Sequence, residues 1–435
     1  MDNIVIGAGP AGRLAALELG KLGEEVLLIE KKYIAGTCLN EGCMVICALN
    51  DIAKFLNNSK RYEDLGIMKV DVNFSYEKIV EKIKETQVLL RKINESDNKS
   101  VGNQIIYGEA KVNIDKNDKI NVNVNGNTYQ PKKLLIATGA RPFIPNIPGT
   151  EHALTSSDVL KLKELPKKIN LIGGGVIACE LSNIFSSYGC EVNIIARSTI
   201  LKSLDPEIRD YTIKKLLTKI NIYENTDVNE IQENQIITSS GNFEGKTLIA
   251  TGRTPNTEIF KDLLELNPDG SIKVDKMMRT SRPNIYAAGD VTGGIELTPV
   301  ARREGITAAR NMAGYSNEVS YKNTPESLSL DMDVSFIRNK KDIENDENIR
   351  KIIQPGGAGP GAFWKALTSE TGLTSVSLNK KTEEIEEIAA ISPSSLDDTA
   401  YMAFLMNLGI KKEDFDDFLE LHPSTDIYYK IMKFM

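Results

Sequence analysis

A chain of 435 residues, 41% of them hydrophobic and 26% charged, has a globular composition and is long enough for roughly two to four domains. Its formal net charge of −7, with no dense Lys/Arg cluster, argues against nucleic acid as a partner. The apolar runs fall far short of a bilayer span, and MDNIVIGAGP opens on a strand and glycine turn without a basic leader or cleavage-like site, so the expectation is a cytoplasmic protein with no membrane partner.

Residues Asn3 to Glu30 read as strand, glycine turn, amphipathic helix and second strand, a βαβ unit of dinucleotide-binding length. Gly7, Gly9 and Gly12 form GxGxxG where strand meets helix: the first glycine permits the turn, and the second lets a pyrophosphate reach the helix N-terminus. Glu30 ends the second strand, where its carboxylate can accept hydrogen bonds from adenosine ribose hydroxyls, and Lys31 follows it.

Three of the five cysteines, Cys38, Cys43 and Cys47, come next. So few cysteines make no disulfide scaffold, and in a reducing compartment their grouping points to redox chemistry or to metal. With no fourth ligand nearby and only two histidines in the chain, no zinc or iron–sulfur site is expected. Cys179 and Cys190 read as small buried residues. Residues five apart on a regular helix point about 140° away from each other, so a Cys38–Cys43 bond requires a distorted or broken helix. Cys43 and Cys47 share a face if a helix begins at Cys43, and thiol exchange between them is then expected.

Beyond the cysteines, residues 69–95 read as a linker and polar helix, and 113–129 as alternating strands. LLIATGARPFIPNIPG, containing Thr138 and Gly139, gives a buried strand, a glycine turn and a proline-rich domain exit. Lys168 to Arg197 repeats the βαβ pattern, with Gly173, Gly175 and Ala178 as its fingerprint and Val176 and Ile177 opening its helix. Counting from the first glycine as far as Glu30 lies from Gly7 lands on Ala196, so the ribose-binding acid is missing. Arg197 and Lys202 follow, which favours NADPH over NADH; the plainer alternative is a solvated Arg197 and a site that tolerates either nucleotide. LIATGRTPN, with Gly252, closes this unit, NIYAAGD ends at Asp290, and from about Ser320 the chain reads as an α+β tail with a loop over 354–363.

GTCLNEGC beside a dinucleotide unit resembles the active-site disulfide segment of the dihydrolipoamide dehydrogenase and glutathione reductase family. GAGPAG with Glu30, the two ATG strings, AAGD, LTPVA and the tail motif His422-Pro423 extend the resemblance over nearly the whole chain. It implies an α/β fold with two Rossmann-like domains, for FAD and NAD(P), and a C-terminal α+β dimerisation domain. The boundaries expected are 1–149 and 256–318 for FAD, 150–255 for NAD(P) and 319–435 for the interface. FAD would lie against the first fingerprint, Thr37, Cys47, Ala110, Thr138, Gly139, Asp290, Thr298 and Ala301. The nicotinamide nucleotide would lie against the second fingerprint, Glu180, Val228 and Gly252. Cys43 would face the flavin and Cys38 would exchange with substrate, while His422 would act as acid/base across a homodimer interface.

Two positions depart from the family pattern. Cys47 takes the place of a lysine that usually pairs with the glutamate found here as Glu180, and Ile427 takes the place of the acid that usually orients the histidine, leaving Asp426, one residue early, as the substitute. The leading expectation is a flavoenzyme moving electrons between NAD(P)H and a small disulfide or dithiol. A mercuric-reductase role is disfavoured because the tail carries no cysteine pair. The competing readings are an NAD(P)H oxidase or redox sensor without a dedicated disulfide substrate, and a nucleotide-binding protein without catalysis.

Overall fold

The computed structural model describes residues 1–339 and 346–434. In chain order it runs β1 (Asn3–Ile6), α1 (Pro10–Lys21), β2 (Val26–Glu30), α2 (Gly36–Asn40), α3 (Cys43–Asp64), α4 (Tyr76–Ser100) and β3 (Gln104–Tyr107). A meander of β4 (Lys111–Ile114), β5 (Ile120–Val124) and β6 (Asn127–Tyr129) precedes β7 (Lys133–Ile136), β8 (Ala140–Pro142) and β9 (Leu154–Thr155). The second half opens with β10 (Lys168–Ile172), α5 (Val176–Ser187), β11 (Glu191–Ile195), α6 (Pro206–Tyr211) and β12 (Ile220–Tyr223). After them come β13 (Val228–Gln232), β14 (Gln235–Thr238), β15 (Gly241–Glu244), β16 (Lys246–Ile249), β17 (Arg253–Pro255), β18 (Ile285–Ala287) and α7 (Thr298–Met312). The tail holds β19 (Glu326–Leu328), β20 (Asp333–Ile337), β21 (Ile349–Pro355), β22 (Leu373–Asn379), β23 (Ile385–Ser392), α8 (Ser395–Asn407) and α9 (Tyr428–Phe434).

Two five-stranded parallel sheets carry the architecture, in the orders β18-β7-β1-β2-β3 and β12-β11-β10-β16-β9. Their central strands NIVI, VLLIE and KINLI are buried almost throughout, as expected where helices cover both faces of a parallel sheet. The first sheet closes only when β18 returns beside β7. The tail forms an antiparallel sheet, β19-β20-β23-β22-β21, with α8 and α9 packed on it through Met402, Met406, Tyr428 and Ile431. This is the expected fold class, two Rossmann-like units and an α+β tail. No helix among the described residues is long and apolar enough to cross a membrane.

The sheets aim their strand ends at the sites. α1 and α5 each start directly after a glycine turn, α1 with proline at its first position, where no N–H is needed. α7 lies against α1 so closely that a Cβ on Gly305 would sit 2.2 Å from the Ala11 carbonyl oxygen. That approach brings the start of α7 to the cysteine segment.

Candidate active site

The glycines of each fingerprint divide into two kinds. A Cβ on Gly7 would lie 2.2 Å from the Ala137 carbonyl oxygen, and one on Gly12 would lie 1.9 Å from that of Gly7, so packing within the chain demands glycine. Gly9 differs: with φ −67° it has a backbone any residue adopts, and an added Cβ meets nothing within 4 Å. Gly175, with φ −87° and open space, repeats this exactly one unit later in the fold, while Gly173 is crowded by Ala250. Nothing among the described residues requires glycine at Gly9 or Gly175. The bare backbone there leaves room for a phosphate against the first N–H groups of α1 and α5, and the residues present therefore fit two dinucleotides.

Around the first cradle, Glu30 is only 8% exposed and each carboxylate oxygen accepts one backbone N–H, from Ala8 and Lys32, both at 2.8 Å. Each oxygen keeps acceptor capacity for a hydroxyl. Thr138 and Asn256 bond reciprocally to each other's main chain at 2.9 and 2.8 Å, and Gly139 has φ +66° with open space beside it. Ala110 is buried beside this sheet and Lys31 is exposed. Burial pushes the Asp290 carboxyl up, against the pull of Arg253, whose Nε lies 3.8 Å away with no hydrogen-bond partner. Glu304 was not anticipated from the sequence; its buried carboxylate accepts from Gly289 N and from the Tyr321 hydroxyl, both at 2.7 Å, and so holds the turn that presents Asp290. Around the second cradle, Ala196 is buried, Arg197 and Lys202 are exposed, Val228 begins β13, and Gly252 has φ +120° with open space beside it.

The cysteine segment is helical on both sides of an interruption. α2 ends at Asn40, Glu41 and Gly42 leave helical geometry with φ −142° and −128°, and α3 begins at Cys43. This is the break that the five-residue spacing required. It brings Cys38 and Cys43 near enough for each to perturb the other's titration, and Cys43 Sγ lies 3.7 Å from Thr298 Oγ1 at the start of α7. Thr37 supplies the carbonyl that receives Glu41 N–H at 2.9 Å across this break. Cys43 holds the Cys38 thiol down to about 6, against its burial and with help from Thr298 and Arg302. Cys43 is driven the other way, first by Cys38 and then by burial. The two thiols are thus pulled in opposite directions, Cys38 down and Cys43 up.

Cys47 is exposed one turn further along α3. Desolvation first, with Cys43, Asp51, Glu180 and Asp333 adding to it, pushes its thiol up. Glu180 finds a substitute for the missing lysine in the Ser329 N–H, which donates to its Oε1 at 2.8 Å. Desolvation still pushes Glu180 up to about 8, with Cys43 and Asp333 adding to the effect. Lys54, on the same helix as Cys47, is bound to Asp333 at 2.8 Å.

The tail residues are placed elsewhere. His422 is exposed and has no hydrogen bond among the described residues, whereas Asp426 is buried. The Asp426 carboxylate accepts from the Tyr401 hydroxyl at 2.5 Å and from Tyr428 N at 2.7 Å. One Asp426 oxygen thus accepts from Tyr401 and the other from Tyr428, and neither bonds His422 among the described residues. Ala301 lies on the buried side of α7, facing Ala11 and Gly289. Among the described residues no group of His, Cys, Asp and Glu is arranged to hold a metal ion.

Two dinucleotide folds sharing a cysteine pair at the start of α7 define a flavoprotein disulfide oxidoreductase. The family described as pyridine nucleotide-disulphide oxidoreductase matches residues 1–305, and the chain belongs to it. It is an FAD-dependent NAD(P)H:disulfide oxidoreductase. An uncharacterized protein of Methanocaldococcus jannaschii is 32% identical over 98% of this chain and 96% of its own length. The dihydrolipoyl dehydrogenase of Bacillus subtilis is 29% identical over 97% of this chain and 93% of its own. The HOCl-induced flavoprotein disulfide reductase RclA of Escherichia coli superposes with a TM-score of 0.86 at 25% identity, covering 99% of both chains.

Proposed function

We propose that the chain takes electrons from NADPH through FAD to a Cys38–Cys43 redox pair and on to a small disulfide, as a homodimer in which His422 of the partner subunit serves the pair. The interruption at Glu41–Gly42 carries this reading, because it joins two thiols that an unbroken helix would hold apart. Bound FAD supplies two-electron transfer between the nicotinamide and the cysteine pair. Glu30, the bare backbone at Gly9, and Asp290 would hold it.

The thiol chemistry follows from the opposite pulls on the two thiols. The Cys38 thiolate attacks one sulfur of the substrate, R–S–S–R; a Cys38–S–R bond forms and one R–S⁻ leaves. Cys43 then gives its proton to the departing thiolate and attacks Cys38, which closes the Cys38–Cys43 disulfide and releases the second R–S⁻. Two cysteine thiols are oxidised and one substrate disulfide is reduced. Thr298, against Cys43 Sγ, positions the resolving sulfur. Cys47, whose surroundings hold its proton, is a poor competitor in this exchange.

Three features support the remaining parts. Ala196 removes a carboxylate that would repel a 2′-phosphate, and Arg197 and Lys202 stand exposed beside it. Leu419 and Leu421, 87% and 85% exposed, directly precede His422, an apolar surface suited to a second subunit.

Cys38→Ser and Cys43→Ser are each expected to lower NADPH-dependent disulfide reduction by at least about 10³-fold with FAD retained. Thiol mapping of the oxidised holoprotein should find one bridge, Cys38 to Cys43, with Cys47 free. A bridge to Cys47, or turnover surviving in the serine variants, refutes this assignment. NADPH oxidation by oxygen with no turnover of any disulfide would instead favour the oxidase or sensor reading.

A further inference from the structure

Two arginines converge on the substrate-facing sulfur. Arg302 lies one turn along α7 from Thr298, so it projects from the same helix face as the hydroxyl that touches Cys43. Arg13 lies one turn into α1 from Gly9, and a Cβ on Gly36, at the head of α2, would sit 2.7 Å from Gly9 Cα. α1 and α7 are pressed together at Ala11 and Gly305. Three separate elements thus deliver Arg13, Arg302 and Cys38 to one corner.

Neither guanidinium has a hydrogen bond or carboxylate ion pair among the described residues, and Arg13 Nε is buried without a partner. Their mutual influence is visible: Arg302 helps hold the Cys38 thiol down, and burial followed by Arg302 lowers Arg13, while Asp97 and Cys38 favour its charge. Arg302 is exposed and Arg13 half-buried, so water screens their repulsion only in part, and an anion that joins them relieves it. The Cys38 thiolate offsets one of these charges, and Asp97, exposed on α4, offsets Arg13 only in part. A surplus of positive charge remains where the substrate must dock. A guanidinium fork matches carboxylate and phosphate oxygens.

We infer that Arg13 and Arg302 select a disulfide that carries a carboxylate or phosphate within a few bonds of its sulfurs, in preference to neutral or cationic disulfides. This rests on the disulfide-reductase reading and names its substrate class. Neither residue belongs to the reacting pair; both act as specificity determinants.

Three disulfides of matched size test it on the holoenzyme: 3,3′-dithiodipropionate, bis(2-hydroxyethyl) disulfide and cystamine, which are dianionic, neutral and dicationic. The ratio of kcat/KM for the dianion over the neutral compound should be at least about 10-fold and should fall by about 10-fold in Arg302→Gln and in Arg13→Gln, as for a lost charge-assisted hydrogen bond. A second readout needs no turnover. In the reduced protein, the rate of Cys38 alkylation by iodoacetate relative to iodoacetamide should drop in both variants, the neutral reagent correcting for any change in thiol ionisation. Equal rates with all three disulfides, or a substitution that slows all three alike with an unchanged alkylation ratio, overturns the inference and leaves the disulfide reading intact. Failure to reduce any of the three, with NADPH still oxidised, counts against the disulfide reading itself and removes the inference with it.

Discussion

The two dinucleotide units share a plan and part company after their second strands. Both place a glycine with ordinary φ and no neighbour at the cradle, Gly9 in one and Gly175 in the other. In the first unit Glu30 does two jobs: it ties Ala8 N and Lys32 N together and keeps acceptor capacity for a ligand. In the second unit Ala196 can do neither, and the adjoining loop is held from the neighbouring strand by Glu224, which accepts from Ile200 N at 2.7 Å and from Arg209 at 2.5 Å. Stabilising the loop and reading the ribose are therefore separable tasks. Where Glu224 takes over the first, Arg197 and Lys202 stay exposed beside the site, and their proposed part in the second is open to test.

The widest break in this comparison comes from the bare glycines. Gly9→Leu should yield a folded protein that is colourless, with FAD affinity reduced by more than about 100-fold, because its side chain enters ligand space and not the core. Gly175→Leu should stay yellow, and its KM for the nicotinamide nucleotide should rise by at least about 10-fold. Absorbance at the flavin band and steady-state kinetics separate the two. A colourless Gly175 variant, or a fully yellow Gly9 variant, would mean that the cradles are misassigned.

Smaller effects sharpen the difference between the acids. Glu30→Gln removes charge-assisted acceptance from Ala8 N and from the ribose together, so FAD affinity should weaken by about 10- to 100-fold and thermal stability should fall with it. Arg197→Ala should alter only nucleotide choice, moving the NADPH/NADH ratio of kcat/KM toward NADH by about 10-fold. An unchanged ratio would make Arg197 a solvated surface residue.

What could be read in advance was local or periodic. The glycine fingerprints, the paired strands and the broken helix between Cys38 and Cys43 all follow from spacing along a few turns of chain. Contacts between distant segments were not legible. Ser329 reaches Glu180 across 149 residues, and Glu304 reaches Gly289 only because α7 folds back over the first sheet. Asp426 lies near His422 in sequence, and its carboxylate bonds Tyr401 on α8, a contact its spacing did not indicate. Arg13 and Arg302 gave no local signal, since each is an unremarkable helix residue until α1 and α7 meet.

A last effect, read in stability and not in ligand affinity, belongs to Glu180, the residue that lost its lysine. Its carboxyl is pushed up to about 8 from an ordinary value of 4.5. A raised value in the folded state means that the native protein binds a proton there over a range where the unfolded chain has released it. The associated stability is fully present below about pH 4.5, declines as pH rises, and levels off above about 8. Glu180→Gln lacks this dependence. Denaturation of the two proteins at matched pH should therefore show the glutamine variant gaining on the parent between about pH 5 and 8, by at most about 1.4 kcal/mol per pH unit. Parallel curves across that range would mean that Glu180 is ionised throughout, and that the Ser329 N–H is enough to replace a lysine.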